Sequence, residues 1–177
     1  MSVFDKTICD CCVCPMQCVL KALERQEVEL FTRSEGFIGV TISRVEDFIV
    51  FTEEGGKFAI CNITAVSIAP SAFTPFPLKP IQTNNKGLCA CCEEPMTNVA
   101  RSRMREGQPF DIEFISSPEA VPAPGVLIQQ VGEGIVFGLV VENTPMFFST
   151  CAMTRISPSN SSSNTNFITR FKELKSK

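Results

Sequence analysis

Histidine, tryptophan and tyrosine are absent from the 177 residues, and no apolar run approaches the length of a membrane span. Without histidine the chain by itself builds neither a histidine-based catalytic triad nor a mixed cysteine–histidine zinc site. The longest apolar stretch, GIVFGLVV at 134–141, is far short of the ~20 residues a spanning helix needs, so no membrane partner is expected. Charge is modest: a formal net of −3 and a pI near 5.1 give no general attraction to phosphate backbones, and no nucleic-acid partner is expected. The opening MSVFDKTICDCC carries an early acid and no apolar h-region, so it does not read as a secretory signal and synthesis in a cytosol is the expectation. With 44% hydrophobic and 20% charged residues, the composition is that of a globular protein.

What the chain has in abundance is cysteine, ten in all. Five of them, Cys9, Cys11, Cys12, Cys14 and Cys18, crowd into ICDCCVCPMQC at 8–18. The stretch LCACCEEPM at 88–96 repeats the Cys-x-Cys-Cys-x-x-Pro-Met frame 80 residues later with Cys89, Cys91 and Cys92. The repetition continues. DFIVF at 47–51 is answered by EGIVF at 133–137, and Phe58, Cys61, Thr64 and Ser67 match Phe148, Cys151, Thr154 and Ser157 at an offset of 90. The growth from 80 to 90 is assigned to SSPEAVPAPG at 116–125, read as a Pro-rich loop with only the short RSEG as its counterpart in the first repeat.

Each repeat opens on a helical pattern. After Pro15, which suits a first helical turn, Met16, Val19, Leu20 and Leu23 fall at i, i+3, i+4 and i+7. The second repeat keeps Pro95, Met96, Val99 and Ala100 but has Arg103 in place of Leu23, which shifts its stripe to Met104 and predicts a more exposed helix. Short strand-like runs follow: 27–32, 37–45, 48–52, 57–61 and 64–68, then 110–115, 126–131, 134–143, 146–151 and 153–156. EEGG at 53–56 and ENTP at 142–145 serve as turns. The fold class expected is mainly β: two tandem small SH3-like or Sm-like β-barrels, each preceded by a Cys-rich leader and a short helix. Residues 1–68 form the first unit, 69–87 a Pro-rich linker, 88–157 the second unit, and 158–177 a Ser/Asn-rich tail ending in a short basic helix. Met16, Val19, Leu20, Ile42, Val45, Ile49, Ile60 and Ile63 are expected in the first core, and Phe73 and Phe76 should lay the linker against a barrel.

Three uses of the thiols compete. Cys9, Cys11, Cys12 and Cys14 contain overlapping Cys-x-x-Cys pairs that suit zinc, copper(I) or an iron–sulfur cluster, yet the second repeat has Glu94 and Asn98 where Cys14 and Cys18 stood, so it lacks a four-thiolate set of its own. Thiol catalysis normally places Cys-x-x-Cys at a helix start in a βαβ unit, and nothing here has that pattern, so neither an enzyme nor a cofactor is expected. Covalent stitching remains. Adjacent cysteines rarely bond each other, so one of Cys11 and Cys12 can reach the strand cysteine of its own unit while the other faces outward. All ten cysteines, Cys61 and Cys151 included, are therefore disulfide candidates. An Sm-like RNA-binding role ranks last, because the EEGG and ENTP turns are acidic or neutral.

CDCCVCPMQCVL, followed by VELFTRSEGFIGVTISRVEDFIVF and FAICNITAV, resembles small cysteine-rich spore coat or exosporium proteins of endospore-forming Bacillus relatives. The resemblance covers 8–68 well and 88–157 more loosely. It implies a structural protein of the spore surface, made in the mother-cell cytoplasm and exposed to oxidation when that cell lyses. Its implied partners are further copies of itself and other cysteine-rich surface proteins.

Overall fold

A computed structural model describes residues 12–34, 36–81, 93–116 and 119–159. The first repeat runs α1 (Val13–Ala22), β1 (Glu27–Thr32), β2 (Gly36–Glu46), β3 (Ile49–Thr52), β4 (Lys57–Ala59), a 3-10 turn (Ile60–Asn62) and β5 (Ile63–Ile68). The second runs α2 (Glu93–Glu106), β6 (Phe110–Ser116), β7 (Glu119–Gly132), β8 (Ile135–Leu139), a 3-10 turn (Val141–Asn143), β9 (Pro145–Ser149) and β10 (Met153–Pro158). The helix stripes behave as their spacing predicts. Met16, Val19, Leu20 and Leu23 are all buried, whereas in α2 Ala100 is buried, Met96 and Met104 are half-buried and Val99 is 39% exposed.

The chain is mainly β, and the ten strands among the described residues form one open antiparallel sheet in the order β10-β6-β7-β8-β9-β5-β1-β2-β3-β4. This corrects the expectation of two closed barrels. Closing either half on itself would require a free edge on its fourth and fifth strands. β5 has both edges occupied, by β1 on one side and β9 on the other, with Ala65, Val66 and Ser67 opposite Phe148, Phe147 and Met146. β9 is likewise paired on both sides, by β8 and β5. A strand has two rows of backbone donors and acceptors, and here both rows are used.

The duplication persists down to the irregularities of the ladder. The β1–β5 pairing slips between Phe31↔Ala65 and Thr32↔Ile63, and the β6–β10 pairing slips at the matching place, between Glu113↔Arg155 and Phe114↔Met153. The β2–β3 slip between Ile42↔Thr52 and Arg44↔Phe51 recurs 86 residues later between Ile128↔Gly138 and Gln130↔Phe137. The Ile60 N–H donates to the Phe48 carbonyl and the Thr150 N–H to the Gly134 carbonyl, both at 2.9 Å. Bulges re-aim a strand locally and do not follow from apolar alternation, so shared bulges mark a shared backbone plan.

The insertion also has a different structure from the one expected. Residues 119–125 are not a loop; they are the first half of β7, which carries Pro122 and Pro124. Over this stretch β7 pairs with β6 alone, since its pairing with β8 begins at Leu127. Proline is excluded from a ladder that needs donors on both sides, and a one-sided stretch tolerates it.

Two apolar cores lie against the sheet, and each borrows from the other half. The first gathers α1 and the first repeat's strands but includes Ile135 and Phe147. The second gathers β6–β9 but includes Phe31 and Ala65. Seven of the eight residues expected in the first core are buried there, and Ile49 is half-buried. The linker lies against this shared surface as expected: Phe76 stacks on Phe147 with ring centroids 5.3 Å apart, and Phe73 meets Phe137 at 5.3 Å. Further along, the Glu133 N–H donates to the Lys79 carbonyl at 2.9 Å and the Lys79 ammonium pairs with the Glu133 carboxylate at 2.9 Å. Gly132 makes this crossing possible, because a Cβ there would stand 2.7 Å from Leu78 Cβ and 2.8 Å from the Lys79 carbonyl oxygen.

Candidate functional site

Two of the cysteines meet at the seam between the repeats. Cys12, at the N-terminal cap of α1, is disulfide-bonded to Cys151, in the turn between β9 and β10, with their Cα atoms 6.1 Å apart. The Cys12 sulfur lies 3.7 Å from the Thr150 hydroxyl. The turn is set by β9: Thr150 N–H donates to Gly134, and Ala152 N–H to the Ser149 carbonyl at 3.0 Å. The bond therefore spans the same seam that β5 and β9 close by backbone pairing. A leader cysteine does reach a strand-end cysteine, but the partner belongs to the other repeat. The reason is the β5–β9 pairing, which carries the second repeat's fourth strand, and the cysteine behind it, to the start of α1.

Cys14, in the first turn of α1 and buried, is disulfide-bonded as well. Cys18, on the same helix, is a half-buried free thiol, and Cys61, in the 3-10 turn after β4, is free and exposed. Cys9, Cys11, Cys89, Cys91 and Cys92 lie outside the described residues. Of the four residues considered as metal ligands, Cys12 and Cys14 hold their sulfurs in disulfides, and a disulfide sulfur is not the thiolate donor that zinc or copper(I) takes. Among the described residues no group of three or more Cys, Asp or Glu is placed to hold a metal ion, and no helix is long and apolar enough to cross a membrane.

The two free thiols differ in their surroundings. Burial pushes the Cys18 thiol above its ordinary pKa, with Glu133 adding to the rise and the Lys79 and Lys21 ammonium groups opposing it. A higher pKa leaves less thiolate at pH 8, and thiolate is the species that reacts. Limited iodoacetamide at pH 8, followed by peptide mass spectrometry, should therefore modify Cys61 well before Cys18. Equal rates would show that α1 does not shelter Cys18.

Several parts of this seam carried a weaker signal in the sequence. β9 reads PMFFS and all five residues are buried; β5 reads ITAVSI and all six are buried. A run without alternation marks a strand covered on both faces, in contrast to Lys57–Ala59 and Met153–Pro158, which keep exposed residues. The Lys79–Glu133 pair had no such signal. Comparison of the chain with known protein families, curated proteins and solved structures finds no match.

Proposed function

We propose that the protein is a structural, self-assembling component of the bacterial spore surface, polymerised by strand-edge contacts and disulfide cross-links. The observation that carries this reading is the seam: two repeats of one unit are joined edge to edge through β5 and β9 and then stitched by Cys12–Cys151. Each half reads as a small SH3-like or Sm-like unit that has opened, so that its fourth and fifth strands pair with a neighbouring unit instead of closing a barrel of their own. Unpaired strand edges recruit further strands, and disulfides make such contacts durable. The spore surface as location follows from the resemblance of the leader. It also reconciles ten cysteines with cytosolic synthesis, since mother-cell lysis would expose the thiols to oxidant.

The test is assembly of the purified chain. Under mild oxidation at rising concentration, light scattering and electron microscopy should show large regular particles. These should withstand heat or denaturant alone and release single chains when denaturant is combined with reductant. Material that stays a single chain of 19.4 kDa across the concentration range would overturn the reading.

A further inference from the structure

The two outermost strands are not generic edges. They are the same two kinds of strand that already meet at the seam. In each repeat the strands lie in the order fifth, first, second, third, fourth, so the sheet reads as two identical blocks placed head to tail. At the seam the fourth strand of the second block, β9, meets the fifth strand of the first, β5. Among the described residues, what remains open is β4, the fourth strand of the first block, and β10, the fifth strand of the second. Each is the missing partner of the other.

We infer that β10 of one chain pairs antiparallel with β4 of the next, repeating the seam between chains, and that Cys61 is the thiol that stitches this outer joint. The inference rests on the self-assembly reading above and specifies its contact. The register follows from the internal one. Ala65↔Phe148, Val66↔Phe147 and Ser67↔Met146, moved by the repeat offset of 90, become Arg155↔Phe58, Ile156↔Lys57 and Ser157↔Gly56. The offset is a structural one: Ala65 and Arg155 occupy the same step of their ladders with β1 and β6, and Phe148 and Phe58 the same step with β8 and β3.

Three further observations agree. Cys61 holds the place in the first repeat that Cys151 holds in the second, directly after the fourth strand, yet it is free and exposed where Cys151 is bonded. The only large apolar side chains exposed among the described residues are Phe48 (41%) and Val99 (39%). Phe48 belongs to the turn whose carbonyl receives the Ile60 N–H beside Cys61, on the β4 side of the joint; Val99 sits on α2, which packs chiefly against β7 and also reaches β10. Val19, the counterpart of Val99 80 residues earlier, is 1% exposed, in the core that takes Ile135 and Phe147 from across the seam. The outer joint has Lys57 in the place of Phe147, so its strand pairing alone is weaker than the seam's, and the cross-link decides its durability.

Cys61 supplies one sulfur of the joint, and a cysteine of the neighbouring chain supplies the other. The step is thiol–disulfide exchange with a low-molecular-weight disulfide such as oxidised glutathione. The Cys61 thiolate attacks it and releases one small thiol. The deprotonated second cysteine then displaces the other, so two protein thiols give up two protons and two electrons and one small disulfide becomes two thiols.

The experiment uses the full chain in a glutathione redox buffer. Non-reducing gels of the native protein should show a multimer ladder that Cys61→Ser abolishes, and non-reduced digests should contain an interchain peptide pair joined through Cys61. A second measurement fixes the register: in a mixture of Cys61→Ser/Lys57→Cys chains with Cys61→Ser/Ile156→Cys chains, the two introduced cysteines should cross-link to each other, and replacing Ile156→Cys by Thr154→Cys should lose the product. If native chains assemble but Cys61→Ser keeps the ladder and the introduced pair stays unlinked, the outer joint is overturned while self-assembly stands. If native chains do not assemble at all, both fail.

Discussion

Cys151→Ser, unfolded in urea at low protein concentration without reductant, is expected to be less stable than the native chain by about 4 kcal/mol. The Cys12–Cys151 bond links residues 139 positions apart, and a cross-link closing so long a loop removes more freedom from the unfolded chain than a short one does. The simple loop-entropy relation gives about 5 kcal/mol for such a loop, and a second disulfide at Cys14 that already restricts the unfolded chain lowers it. The folded state should change little, because the backbone pairing of β5 with β9 and the packing of Phe147 and Phe148 hold the seam without the sulfur bridge. In reductant neither chain has the bond, so the difference should shrink to within about half a kcal/mol. A gap that survives reductant would mean that serine disturbs the seam itself.

The second large effect belongs to α1. Leu20→Ala should cost ~2–5 kcal/mol, because Leu20 is fully buried in a core shared by α1, the first repeat's strands and two residues from the second. Against a typical domain stability of ~5–15 kcal/mol that is a large fraction. The urea midpoint should fall while the slope of the transition stays constant. A loss under about half a kcal/mol would show that the helix is not packed on the sheet.

Local periodicity made much of this fold legible. The stripe of Met16, Val19, Leu20 and Leu23, the β1 span at 27–32 and the packing of Phe73 and Phe76 are all written within windows of a few residues. The seam is not. Ala65 and Phe148 meet 83 residues apart, and nothing near either says which edge will be covered. The repeat made the problem harder, because Cys61 and Cys151 hold matching positions in the two repeats and only strand order decides which one faces Cys12. Pro122 and Pro124 misled in the opposite direction. Their usual meaning, a loop, holds for a strand paired on both sides and fails where β7 has a single neighbour.

The linker that crosses Gly132 has a consequence for how an assembly comes apart. It ties two repeats into one chain, so the seam forms at an effective concentration fixed by the tether and not by the amount of protein present. In a polymer of the kind proposed, joints would therefore alternate between one kind that dilution cannot open and another that it can. Erosion of such a polymer would shed repeats two at a time, and an odd-numbered fragment would require a broken backbone. Even a protease cut between Ile68 and Glu93 would leave the halves held by Cys12–Cys151, and they would separate only after that bond is reduced and the shared core comes apart.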